Sequence, residues 1–153
     1  APPLNLGLRG IEVNKRRVRI ARRVLGERAR VDQGDLRDID LSPSSVIVML
    51  DVLFYLDEKS QDRLLAKAAE ALEPSGLLLL RETDAGAGFA FQVTKWCERI
   101  AGTLRGEFRQ QLHYRSAARW AEALERLGFS VSAEPMSEGT PFSNVLFVAR
   151  RVF

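Results

Sequence analysis

Hydrophobic and polar positions alternate along the chain with two different periods. Residues 8–13 form a short apolar run that includes Glu12 near its end, the pattern of a strand closing on an acid. At 100° per residue, Val18, Ala21, Val24 and Leu25 fall on one side of a helix over Lys15–Leu25. Lys15, Arg16, Arg19, Arg22 and Arg23 occupy the opposite arc, with Arg17 the exception. Asn14 suits the N-cap of that helix and Gly26 its C-terminal stop. Ala29–Gln33 reads as a second, weaker strand followed by Gly34-Asp35. Residues 46–50 are apolar on both faces, the mark of a strand covered by helices on each side. Residues 59–72 predict a helix with Leu64, Leu65, Ala68 and Leu72 inward and Arg63, Lys67 and Glu70 outward. Glu73-Pro74-Ser75-Gly76 breaks it, and 77–80, four leucines, predict a second fully buried strand. A variable stretch over 83–115 carries a helix near 91–104. Ser116 caps a helix running to Leu127, which Gly128 ends.

Strands alternating with helices imply βαβ units and a parallel sheet. The end of the chain breaks that rule. Residues 129–134 and Asn144–Arg151 both read as strands, joined by a linker with Pro135, Gly139 and Pro141. A parallel crossover needs a dozen or more residues and usually a helix, so these two strands are expected to pair antiparallel.

Composition narrows the function classes. In 153 residues, 46% hydrophobic and 28% charged fit one globular domain, here expected to span 1–153, and exclude a disordered or collagen-like chain. No apolar run reaches the roughly 18 residues of a membrane span, and Ala1-Pro2-Pro3 does not open a secretory signal. Cys97 and His113 are the only residues of their kinds, too few for an internal disulfide or a thiolate or histidine metal cage. The expectation is a cytoplasmic, metal-free domain. Net charge is +3, but residues 15–30 hold eight basic residues against Glu27, a segment of +7 that leaves the remainder at −4. That basicity is one patch: a solvated helix face, or a surface for a polyanion.

Several short stretches then resemble one family in order and spacing: Gly10-Ile11-Glu12-Val13-Asn14, Gly34-Asp35-Leu36, the run from Met49 through Asp51 to Leu56, Leu72-Glu73-Pro74-Ser75-Gly76, and Leu127-Gly128-Phe129. With a mostly parallel sheet and an antiparallel final strand, the chain resembles the class I S-adenosylmethionine-dependent methyltransferases over nearly its whole length. The resemblance implies an α/β Rossmann-like fold with a doubly wound sheet and S-adenosylmethionine as cofactor. Glu12 would hold both ribose hydroxyls, since a carboxylate at a strand's carboxyl end accepts two hydrogen bonds from a diol; the other reading is an ordinary strand-end acid. Asp35 would receive the adenine amino group and Leu36 would offer its backbone N–H to the ring, with Val13 and Gly34 beside them. An Asp after Gly is also a common turn residue. Leu50 and Asp51 would lie beside the methionine part, or Asp51 would cap a helix.

The family also places a strand and a glycine-rich turn ahead of the strand that ends at Glu12, between it and the strand bearing Leu50. No such turn precedes Glu12, and 1–6, with two prolines, is a poor substitute. The expectation is therefore that more chain precedes Ala1 or that another segment fills the gap.

Methyl transfer from a sulfonium is an in-line displacement that needs alignment and dryness more than acid–base groups. For a hydroxyl acceptor a base helps, and His113 is the one histidine; a surface histidine is the alternative. Tyr55 would hydrogen-bond the acceptor, and Phe54 beside it would face the acceptor or pack in the core. Trp96, Phe108, Tyr114 and Phe142 would wall the pocket, and Cys97 reads as a small buried hydrophobe. The leading reading is methyl transfer to a small molecule. A nicotinamide oxidoreductase holding NAD at Glu12, a non-catalytic module of the same fold, and an RNA methyltransferase using the basic patch stand beside it. The patch lacks interleaved aromatics for base stacking, which counts against nucleic acid.

Overall fold

The computed structural model describes residues 7–104 and 111–152, and it divides into two compact units, Ala1–Asp40 and Leu41–Phe153. In the first unit, strand β1 (Leu8–Glu12) leads through helix α1 (Lys15–Leu25) to strand β2 (Ala29–Gln33). The strands pair in parallel, from Leu8 opposite Ala29 to Glu12 opposite Gln33. The expected caps form: the Asn14 side chain accepts from the backbone N–H groups of Arg16 and Arg17, and Gly26 takes φ 55°, where a Cβ is disfavoured.

The inward stripe of α1 is narrower than its sequence suggests. Val18 is buried, but Val24 is 65% exposed. Within this unit the described strands β1 and β2 cover Val18 and leave Val24 open. Arg22, expected on the solvated arc, donates from Nε to the Val31 carbonyl of β2 at 2.7 Å.

The second unit holds strand β3 (Ser44–Leu50), helix α2 (Glu58–Ala71), strand β4 (Leu72–Thr83), helices α3 (Phe89–Leu104) and α4 (Ala117–Arg126), and strands β5 (Phe129–Pro135) and β6 (Asn144–Arg151). The sheet order is β3-β4-β6-β5. β3 and β4 run parallel, whereas β6 lies antiparallel between β4 and β5, as its short linker requires. Leu64, Leu65 and Ala68 of α2, Leu78 and Leu80 of β4, Trp120 and Leu124 of α4, and Phe147 and Ala149 of β6 make the core. Ser116 caps α4 by accepting from the Arg119 N–H, and Gly128 ends the following turn at φ 84°.

Two expectations are corrected in this unit. β3 is buried through Met49 alone, while Val46, Val48 and Leu50 are about half exposed. Among the described residues β3 pairs only with β4. Likewise, Glu73–Gly76 does not separate helix from strand. The ladder matches Ser44 with Leu72 and resumes at Val46 with Leu77, so the extra residues bulge out of one continuous strand. Ser75 sits at φ 62° in this bulge. A Cβ on Gly76 would lie 2.8 Å from the Glu73 carbonyl oxygen and 3.0 Å from Leu72. Gly76→Ala is therefore expected to lower stability by about 1–3 kcal/mol through overpacking against backbone. Urea unfolding checks this, and an unchanged midpoint would show that the bulge relaxes freely.

Candidate functional site

The parallel pairing of β1 and β2 delivers Glu12 and Asp35 at the carboxyl ends of neighbouring strands. Glu12, half-buried, accepts the Asn14 N–H on Oε1 at 2.7 Å, and its Oε2 lies 3.8 Å from the Arg17 guanidinium. The second oxygen keeps acceptor capacity beyond that loose ion pair. The Gly34 N–H donates to the Glu12 carbonyl at 3.2 Å, which joins the two strand ends. A Cβ on Gly34 would meet the tip of Ile39 at 2.9 Å. Val13, just past β1, is 65% exposed.

Asp35 starts a turn: its carbonyl accepts from the N–H groups of Asp38 and Ile39. Its carboxylate accepts the Arg37 backbone N–H at 2.9 Å and the Arg37 guanidinium Nε at 3.0 Å. The Arg37 guanidinium, first among the causes, holds the Asp35 carboxyl below its ordinary range. The turn reading of Asp35 thus has direct geometry behind it. An adenine amino group would share oxygens that Arg37 already uses. The N–H of half-buried Leu36 has no partner among the described residues, which suits the donor role expected of it.

In the second unit, Leu50 ends β3 about half exposed, and the chain turns at Asp51 with φ 54°. A left-handed conformation at a non-glycine residue persists only where its surroundings over-determine it. Here the Asp51 N–H donates to the Arg81 carbonyl at 2.9 Å, and the Arg81 guanidinium pairs with the Asp51 carboxylate through Nε and Nη2. Asp51 caps no helix. The pairing, with Asp51 as first cause, raises the Arg81 pKa.

The next residues, Leu53–Tyr55, form one 3-10 turn. The His113 N–H donates to the Phe54 carbonyl at 2.8 Å, so the structure brings His113 and Tyr55 onto adjoining segments. Both are half-buried. Phe54 is buried and packs against Tyr55 and Tyr114, which makes it core rather than acceptor wall. Trp96 is 67% exposed and Phe142 half-buried, while Phe108 lies outside the described residues. Cys97 is half-buried rather than buried.

Three residues that the sequence did not single out hold this region together. Gln61, fully buried on α2, shares the two protons of Nε2 among the carbonyls of Leu53, Leu56 and His113 at 3.1, 3.0 and 2.8 Å. Arg115, 3% exposed, pairs with Asp62 at 2.7 Å and lies 5.0 Å over the Trp120 ring. Glu82, 1% exposed on β4, accepts through Oε1 from the N–H groups of Val52 at 3.1 Å and Leu53 at 2.7 Å. An acid directly after Leu77-Leu78-Leu79-Leu80-Arg81 was the available signal for Glu82. Gln61 and Arg115 offered none.

Burial pushes the Glu82 carboxyl up to about 8, against the opposing pull of the Leu53 and Val52 N–H groups. The folded state therefore favours the neutral acid. Its stabilising contribution is complete below the ordinary value of 4.5 and is lost as pH rises through 8. Between those values the Glu82 contribution falls by up to about 1.4 kcal/mol per pH unit. Glu82→Gln, which cannot ionise, is expected to flatten that decline. Urea unfolding of both proteins at pH 6 and pH 9 checks it, and equal losses would contradict it.

Among the described residues no three of His, Cys, Asp and Glu come together to hold a metal, and no helix is long and apolar enough to cross a membrane.

No family model matches the chain. The carboxy-S-adenosyl-L-methionine synthase of Chromohalobacter salexigens is 34% identical over 86 residues, 53% of this chain and 32% of that protein. The chain thus matches about a third of the length of that relative. A chain from the complex of the Haloferax volcanii Trm112 methyltransferase activator with a methyltransferase superposes with TM-score 0.75 at 15% identity, covering 97% of this chain and 73% of that one. An O-methyltransferase from neocarzinostatin biosynthesis, bound to S-adenosyl-L-homocysteine and 1,4-dihydroxy-2-naphthoic acid, gives TM-score 0.65 at 22% identity over 94% of this chain and 42% of its own. By strand order and by these likenesses, the chain has the Rossmann-like fold of the class I S-adenosylmethionine-dependent methyltransferases.

Proposed function

We propose that the protein transfers a methyl group from S-adenosylmethionine to a small-molecule acceptor. The observation that carries this reading is the emergence of Glu12 and Asp35 from adjacent parallel strands at one carboxyl edge. The sequence likeness to carboxy-S-adenosyl-L-methionine synthases and the structural likeness to O-methyltransferases support it. When bound, the cofactor supplies a methyl carbon activated by a sulfonium.

The residues divide the work. Glu12 accepts the ribose hydroxyls on the oxygen that Asn14 leaves open, beside Val13. Asp35 receives the adenine amino group in competition with Arg37, and Leu36 donates its N–H to the ring, with Gly34 keeping the turn slim. Leu50 and Asp51 serve the methionine part, Asp51 being fixed by Arg81. Tyr55 orients the acceptor. His113, whose backbone is tied to the Phe54 carbonyl, takes the proton when the acceptor is a hydroxyl.

The curated likeness favours a second reading, in which S-adenosylmethionine is the molecule modified rather than the methyl donor. Mass spectrometry of the spent cofactor separates the two: S-adenosylhomocysteine marks methyl transfer, and a heavier sulfonium marks the alternative. Calorimetry with S-adenosylmethionine on the full-length protein tests both, and no heat of binding rejects both. Glu12→Ala should weaken that binding by roughly 1–3 kcal/mol, the loss of a charged acceptor; an unchanged affinity would remove Glu12 from the ribose.

A further inference from the structure

We infer that Glu82 is a positioning residue for the methyl-transfer site: its buried carboxyl oxygen fixes the Asp51–Leu53 turn against which the cofactor and acceptor are held. The inference rests on the methyltransferase reading and deepens it. Three observations within the second unit lead to it.

The turn is held at its amide side by Glu82 and at its carbonyl side by Gln61. Glu82 Oε1 receives the Val52 and Leu53 N–H groups, while Gln61 Nε2 supplies the Leu53 and Leu56 carbonyls. Both side chains are fully buried, so the N–H groups that Glu82 accepts and the carbonyls that Gln61 Nε2 meets are bonded out of reach of water, where losing a partner is costly. The left-handed residue Asp51 immediately precedes the two clamped amides, and its own N–H and carboxylate are tied to Arg81, the chain neighbour of Glu82. Consecutive residues of β4 thereby hold consecutive residues of the turn. Leu50, Asp51 and Tyr55, the residues assigned to cofactor and acceptor, lie within or beside it. His113 is attached through the Phe54 carbonyl and its own bond from Gln61.

A merely structural acid would matter to stability but not selectively to ligand affinity. A group that acts through its charge would be served by aspartate. Glu82 acts instead through the reach of one acceptor oxygen, which glutamine keeps and aspartate loses by one methylene. Two variants of the full-length protein separate these cases, with S-adenosylhomocysteine as the titrant in calorimetry. Glu82→Gln is expected to keep Kd within about threefold of wild type. Glu82→Asp should raise it about tenfold, the effect of one lost hydrogen bond. Hydrogen exchange supplies a readout independent of ligand: the Val52 and Leu53 amides should be protected in wild type and Glu82→Gln and should exchange at least about tenfold faster in Glu82→Asp.

The reverse order of the variants, or equal affinity in all three proteins, overturns the inference, as do unprotected amides in wild type. Lower melting temperatures with unchanged Kd overturn it too, because they describe a structural acid only. Wild type that protects both amides yet binds no S-adenosylhomocysteine removes the methyltransferase reading and the positioning role with it. Wild type that binds while the amides stay open removes the role of Glu82 alone.

Discussion

Parallel pairing is the constraint on which the candidate residues depend. Two strands that run the same way end at the same edge, so whatever follows them is brought together without any contact having to be specified. In the first unit this places Glu12 and the Gly34-Asp35-Leu36 turn side by side. In the second it places the Asp51 turn beside Arg81 and Glu82. The antiparallel strand β6 guards that second arrangement. It occupies the far edge of β4 from Leu77 to Thr83, and with β3 on the other edge neither side of β4 is left for another partner.

Local signals were the legible part of the chain. Asn14, Ser116, Gly26 and Gly128 each do at a helix end what their side chains, or lack of one, dictate. The antiparallel pairing of β5 and β6 followed from linker length alone. What misled was punctuation without context. Pro74 and Gly76 are strong breakers in isolation, yet the ladder on either side carries the strand across them as a bulge. Periodicity also names a face without naming what covers it, which is why Val24 and Val48 were expected inside and lie open.

The polar machinery was harder to read because its partners are distant in sequence. Glu82 meets Val52 and Leu53, Gln61 meets His113, and Arg115 meets Asp62 and Glu58, pairings that only the folded sheet creates. Asp35 and Glu12 are the opposite case. Their engaged partners, Arg37 and Asn14, are each two residues away, so the turn reading of Asp35 could be weighed from the sequence itself.

The basic segment shows why charge counted along a chain is a poor guide to partners. Arg22 reaches the Val31 carbonyl, Arg28 donates to the carbonyls of Val24 and Leu25 that end α1, and Arg30 joins Arg9 on Asp32. Cations at a helix carboxyl end complete its unsatisfied carbonyls and oppose its dipole. The paired guanidiniums are therefore engaged in holding α1 and β2. The part of the patch that stays open is the arc of Lys15, Arg16, Arg19 and Arg23, all exposed. Arg16, Arg19 and Arg23 recur at helical spacing with no aromatic among them, an arrangement suited to solvation. A site that recognised a base would need flat surfaces between the charges, and this face has none.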